Sequence, residues 1–273
     1  MSVTTEAEMV AALESGRSAS HVSITMTAGN RAAGTHGITT WQANGGSIPG
    51  SSLATCDNTT TGALVLPTSG TGSDLRLAGG AMGGGLYTGQ TVMPDGFVEV
   101  IDRIAAVGGL VGNVTTLQSI NMSTVDLTTA RGILTDGVNL AFGIEWYGAS
   151  GGTSVTMTWG ATYWDDTTGT FTTTHPSGGT SGLWQWIRPN SGKQPKALTS
   201  VTLSATTGSS TQFGVVACRL LGMTLPAAAR NHSMADLHQM ALMPVSSSAC
   251  LQLIARSAYF GAGLSGNIII AKG

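Results

Sequence analysis

Apolar and polar residues alternate with a period of two over much of the chain. Val155, Met157 and Trp159 fall on one face of an extended segment, and Ser154, Thr156 and Thr158 on the other. Val201, Leu203 and Ala205 stand in the same relation to Thr202, Ser204 and Thr206. This is the pattern of half-buried strands, and threonine and β-branched residues suit a pleated surface. From Phe97 onward the pattern predicts strands at 97–107, 114–120, 138–147, 154–159, 170–174, 184–188, 198–205, 212–221, 250–256 and 267–271. Turn clusters such as Ala149-Ser150-Gly151-Gly152 and Thr207-Gly208-Ser209-Ser210 separate them. Many short strands without intervening helical periods predict a mainly β fold, an antiparallel β-sandwich of jelly-roll-like type. The stretch 226–244 breaks the pattern: Met234, Leu237 and Met240 suit one helical turn or a long connection.

The N-terminal third reads differently. Thr5 and Glu8 have the spacing of a capping box, Met9, Val10 and Leu13 form a narrow apolar stripe, and Gly16 suits a stop. A short helix is expected, too short to stand alone and therefore docked on something. Residues 18–95 hold Gly45-Gly46, Gly79-Gly80 and Gly83-Gly84-Gly85. Short extended pieces are expected at 21–26, 37–41, 63–66 and 86–93. Scattered Trp41, Leu64, Leu66, Leu75, Leu77 and Tyr87 imply that the segment packs. The chain thus divides into a helix with an extended Gly-rich arm (1–95) and a β-sandwich domain (96–273). Met9, Val10, Leu13 and Trp41 are the candidate attachment residues of the arm.

Charge sharpens this picture. Charged residues are 10% of the 273, 12 Lys+Arg and 14 Asp+Glu, with a net charge of −2; soluble domains carry about 25%. No basic surplus points to nucleic acid. Net charge is too low, and hydrophobic content at 41% too high, for a disordered chain. No run is apolar enough for a membrane helix, since 213–229 contains Arg219 and Pro226. The N-terminus carries Glu6, Glu8 and Glu14 with no basic region, so no signal peptide is expected there. Cys56, Cys218 and Cys250 are odd in number and lack CxxC spacing, which fits folding in a reducing cytosol. Neutral residues must then cover the surface. Either that surface is an inert shell or much of it is buried against other subunits, and both favour a structural assembly, most simply a closed homotrimer.

Catalytic chemistry finds little support. His21, His36, His175, His232 and His238 lack zinc-ligand spacing and read as surface or loop residues. Asp165-Asp166 reads as a solvated hairpin turn rather than a calcium loop. The run 79–85 (GGAMGGG) lacks the GxGxxG spacing and its strand–helix context. No catalytic, cofactor-binding or metal site is assigned, and no cofactor is expected. The aromatics cluster instead: Trp146, Tyr147, Trp159, Tyr163, Trp164, Trp184 and Trp186. Trp159, Trp164, Trp184 and Trp186 are candidates for core or subunit interface, or for stacking on a sugar ring. Trp184 and Trp186 should share one strand face.

A sequence of short motifs runs through the chain. It begins with Ala11-Ala12-Leu13, Gly16-Arg17, Ala32-Ala33-Gly34, Trp41, Ile48-Pro49-Gly50, Cys56-Asp57 and Thr61-Gly62-Ala63-Leu64. It continues with Asp102-Arg103-Ile104, Gly108-Gly109-Leu110-Val111-Gly112-Asn113-Val114-Thr115-Thr116, Glu145-Trp146-Tyr147 and 200–208, then Phe213-Gly214-Val215, Ala249-Cys250-Leu251 and the closing Ala271-Lys272-Gly273. In this order the chain resembles a family of virion structural proteins of tailed bacteriophages and prophages. The resemblance implies a non-enzymatic head-associated protein: a decoration protein, spike or fibre base. Its partners would be other copies of itself and the major capsid protein or other virion proteins, with no nucleic acid and no membrane. It would reside in the virion, assembled in the bacterial host cytoplasm. A neck or tail component, or a carbohydrate-binding module on the particle, is the alternative. The Trp-rich stretch 159–186 and the stretch 231–244 depart from the family pattern, and these are the places to expect particle-specific contacts.

Overall fold

Period-two alternation becomes a ladder of antiparallel strands. The computed structural model describes residues 5, 7–8, 19–26, 37–64, 66, 75–84, 96–122, 139–179, 181–189, 192–224, 232–235, 244–257 and 264–272. Sixteen strands lie among them. In chain order they are β1 (Ala19–Met26), β2 (Gly37–Thr39), β3 (Ala54–Thr55), β4 (Leu75–Gly84), β5 (Gly96–Val111), β6 (Gln118–Ser119), β7 (Leu140–Trp146) and β8 (Val155–Tyr163). Then follow β9 (Thr168–His175), β10 (Leu183–Ile187), β11 (Pro195–Leu203), β12 (Gln212–Thr224), β13 (His232–Ala235), β14 (Pro244–Val245), β15 (Leu251–Ser257) and β16 (Leu264–Lys272).

The chain folds into two compact units. The first comprises Met1–Gly46, Asp57–Asp102 and Leu220–Gly273; the second comprises Ser47–Cys56 and Arg103–Arg219. The boundary expected at residue 95 falls inside the first unit, because β1 and β4 from the segment read as an arm both pair with the C-terminal β16. In this unit β1, β16, β4 and β13 lie in that order, with β14 also on β4. A second layer pairs β15 with β2 and with the first half of β5. Leu75, Leu77, Ile268 and Ile270 from one layer and Val98, Val100, Leu251 and Leu253 from the other make one core, which is sandwich packing.

Two features of this unit differ from the expectation. The glycine run 79–84, where no strand was expected within the extended arm, is strand, paired with β16 on one side and β13 on the other. Ladder pairing on both edges outweighs the weak strand propensity of glycine. Residues 232–235 are likewise strand, with Met234 opposite Ala81, rather than a helical turn. Of the N-terminal helix, the capping box is present: Thr5 N donates to Glu8 Oε2 (3.0 Å) and Glu8 N to Thr5 Oγ1 (3.3 Å). Met9, Val10, Leu13 and the expected strand 86–93 lie outside the described residues.

The second unit is also a sandwich. One sheet runs β6-β11-β8-β9. The facing layer holds β7 between β10 and β12, and the second half of β5 pairs with β3. Val155, Met157, Trp159, Val201 and Leu203 from the first sheet share a core with Phe142, Ile144, Trp146, Phe213 and Val215 from the second. The alternation read in 154–159 therefore sorts inside from outside as expected. The strand expected at 114–120 shrinks to β6. Gln118 Oε1 accepts from Val111 N (2.7 Å), and Gln118 Nε2 donates to Val111 O (3.1 Å) and Val114 O (3.2 Å). That side chain ties the backbone into a turn where the sequence pattern alone read strand.

Candidate functional site

The outer face of the four-stranded sheet of the second unit presents an exposed neutral surface on β8 and β9. On β9 the inward positions are Gly169, Phe171, Thr173 and His175, and all four outward positions are threonine: Thr168, Thr170, Thr172 and Thr174, each exposed. On β8 the outward residues include Thr156 and Thr158. Register places Thr174 opposite Thr156, Thr172 opposite Thr158 and Thr168 opposite Thr162. β11 continues the row with Thr202 opposite Thr158. Cross-strand threonine pairs stabilise one another, so across β8 and β9 the face is an uncharged hydroxyl and methyl lattice, with Lys196 of β11 at its hairpin end.

Charge is gathered instead at the β8–β9 hairpin. Asp165 Oδ1 accepts from Thr167 N (3.1 Å) and Thr167 Oγ1 (2.5 Å), and Asp165 Oδ2 faces Lys193 Nζ at 2.8 Å. Asp166 Oδ1 lies 2.9 Å from Lys196 Nζ. The Lys193 hydrogen bond, then those of Thr167, lowers the Asp165 carboxyl to about 2. Asp166 adopts a left-handed φ of 59°, which aspartate tolerates in a tight turn. The solvated hairpin expected at Asp165-Asp166 is what forms, with each carboxylate neutralised by its lysine.

The tryptophan candidates separate by burial. Trp159 is buried in the core, its Nε1 donating to Thr173 Oγ1 at 2.8 Å. Trp184 is buried as well, and a Cβ at Gly143 would overlap its ring. Neither offers a ring face to a sugar. Trp186 is half-buried and meets Trp184 edge-on, with centroids 5.2 Å apart. Trp164 is half-buried against the core, with Lys196 Nζ 5.9 Å from its ring centre. In the first unit Trp41 is 3% exposed and seated against Gly46 and Gly62. Gly62 has a φ of +102°, and a Cβ there would press on the ring. Trp41 therefore packs on its own loop rather than presenting itself to a partner.

Several buried polar groups escaped the sequence reading. In the second unit Arg103 and Glu145 form an ion pair, Nη1 to Oε2 2.6 Å, with both side chains fully buried. Burial acts to lower the arginine's affinity for its proton, but Glu145 outweighs it, and Arg103 stays charged. Burial, then the Glu145 charge, pushes the Tyr147 phenol up beyond its ordinary range. The only sequence signal was an acid–base pair inside an apolar strand, Ile101-Asp102-Arg103-Ile104. In the first unit Asp102 Oδ1 accepts from Cys250 N at 2.9 Å. His175, expected at the surface, is buried and stacked on Trp146 at 4.7 Å, because it occupies an inward position of β9. Burial lowers its pKa, opposed by a hydrogen bond to Gln185.

Gly148-Ala149-Ser150-Gly151-Gly152 has the spacing of a nucleophile elbow. It follows β7 and leads into β8 without a helix, and Ser150 is fully buried. Among the described residues no group of three His, Cys, Asp or Glu side chains converges as metal ligands. None of the described helical segments is long and apolar enough to cross a membrane. All three cysteines are buried, and none is in a disulfide.

No family model matches the chain, and no curated protein does. Among solved structures it is similar to several of infectious bursal disease virus. The structure of the Gx strain is 10% identical with a TM-score of 0.22, covering 93% of this chain and 80% of that one. The crystal structure of the VP2 subviral particle is 9% identical with a TM-score of 0.20, at the same coverage. Likeness at this level carries no argument about fold or role.

Proposed function

We propose that the chain is a non-enzymatic structural protein of a bacteriophage virion, a capsid-associated decoration or spike protein that works as an oligomer. The observation that carries the reading is the large neutral face of the second unit. An exposed sheet with threonine at every outward position of its edge strand lacks the charges that ordinarily discourage association. The resemblance of the motif order to phage virion proteins supplies the setting. Attachment is assigned to the segment ahead of β1, which carries the apolar stripe Met9, Val10 and Leu13. Since β1 and β4 are integral to their sheet, deletion of residues 1–18 is a cleaner test than deletion of the whole N-terminal third.

The experiment is add-back to purified particles that lack this chain. The full chain is expected to co-sediment with particles at saturating, stoichiometric copy number, and the 1–18 deletion to stay in the supernatant with unchanged circular dichroism. Failure of the full chain to co-sediment contradicts the capsid role. Equal binding by the deletion contradicts the attachment segment.

A further inference from the structure

From the open edge of β9 we infer that this strand pairs antiparallel with β9 of a second copy of the chain. The inference rests on the backbone of one sheet and does not depend on the virion reading. Tyr163 N donates to Thr167 O at 2.9 Å, across the hairpin from one another. Tyr163 and Thr167 are therefore a hydrogen-bonded pair. The register then makes Ala161–Gly169, Trp159–Phe171, Met157–Thr173 and Val155–His175 hydrogen-bonded pairs too, since such pairs alternate along an antiparallel ladder. The intervening residues Thr168, Thr170, Thr172 and Thr174 turn their N–H and C=O groups away from β8. Two contacts agree with this assignment. Gln185 Nε2 donates to Thr174 O at 2.7 Å, and on β8 Thr156 bonds Ser204 on its far side.

Gln185 thus covers one carbonyl at the end of the edge. The amides and carbonyls of Thr168, Thr170 and Thr172 have no partner among the described residues, and their side chains are exposed. β9 is eight residues long and holds no proline, no lysine and no bulge in its pairing with β8. These are the usual devices that keep an edge from pairing, and β9 has none of them.

The occupant follows from the self-matching, uncharged edge and from symmetry. A parallel or heterologous strand would meet the same uncharged edge, but only a two-fold antiparallel copy sets each hairpin, with Asp165 and Asp166, at the far end from its equivalent. The hairpin ion pairs Asp165–Lys193 and Asp166–Lys196 then lie at the two ends, outside the seam, and threonine stands opposite threonine along it. The backbone supplies affinity in such strand addition. A contact of this kind joins two copies or links neighbouring oligomers; it does not close a three-fold ring.

The test compares wild type with Thr172→Pro and Thr170→Lys by analytical ultracentrifugation of the full chain over a wide concentration range. Proline is tolerated on an edge strand where its lost N–H faced outward, and lysine blocks an edge without disturbing the ladder. Wild type should double in mass with rising concentration. Each variant should halve that assembly mass with unchanged circular dichroism. In wild type the Thr170 and Thr172 amides should exchange with deuterium roughly tenfold more slowly in the associated state than in the dissociated one. Wild type that never doubles overturns the inference. So does assembly mass unchanged in both variants, or exchange at Thr170 and Thr172 that is independent of concentration. An oligomer that survives both substitutions leaves the structural role standing while removing this contact, so the two failures are told apart.

Discussion

Arg103 and Glu145 show how far a single pair governs the second unit. Both side chains are fully buried and held 2.6 Å apart. Removing one partner of such a pair leaves a lone charge in an apolar interior and costs about 3–5 kcal/mol, whereas replacing both with apolar residues is often neutral. Glu145→Gln should therefore lower stability to urea by that amount, and Arg103→Met with Glu145→Leu should recover most of it. Loss of less than about 1 kcal/mol in Glu145→Gln would mean that solvent reaches the pair. At this scale the sequence was a poor guide. Arg103 sits in an apolar strand, but nothing in one dimension says that Glu145, forty-two positions on, lies beside it. The tryptophans were half-legible: aromatic residues at inward strand positions belong in a core, as Trp159 does, but Trp164 and Trp186 needed the fold to place them.

Strands were the most legible level, because a period of two maps directly onto the two faces of a sheet. The inward set Val155, Met157, Trp159 was readable, and so was its threonine face. Legibility failed where pairing rather than pattern decides conformation. The glycines of β4 and the residues 232–235 carry little strand signal, and each is a strand because a ladder partner lies beside it. At the end of β9, His175 stacks on Trp146 of β7 and joins the two layers of its sandwich. Its pKa is lowered from 6.5 chiefly by burial, so the unfolded chain binds this proton more readily than the folded one. The stability tied to neutral His175 is intact above pH 6.5 and is lost as pH falls from there through the folded-state pKa. Thermal unfolding temperature should drop over that interval, and His175→Gln should flatten the dependence. An identical pH profile in the variant would show that the histidine is not the group responsible.

Taken whole, the molecule is two β-sandwiches built from one interleaved chain. β5 and β12 each contribute residues to both units. The division at residue 95 was not legible because N-terminal strands are completed by the last strand of the chain, β16, and sequence proximity gives no hint of that closure. Low charge was legible from the start, and the fold gives it a location. The outward positions of β9 carry no charge, while Asp165 and Asp166 are paired off at the hairpin. Such a surface suits burial against other subunits better than free diffusion. For the proposed virion role, the most direct measurement is the copy number of this chain in purified, salt-washed particles, by quantitative mass spectrometry. Tens to hundreds of copies per particle are expected, a multiple set by shell symmetry. Absence of the chain from particles, with the protein found only in the soluble fraction of the host lysate, would contradict it.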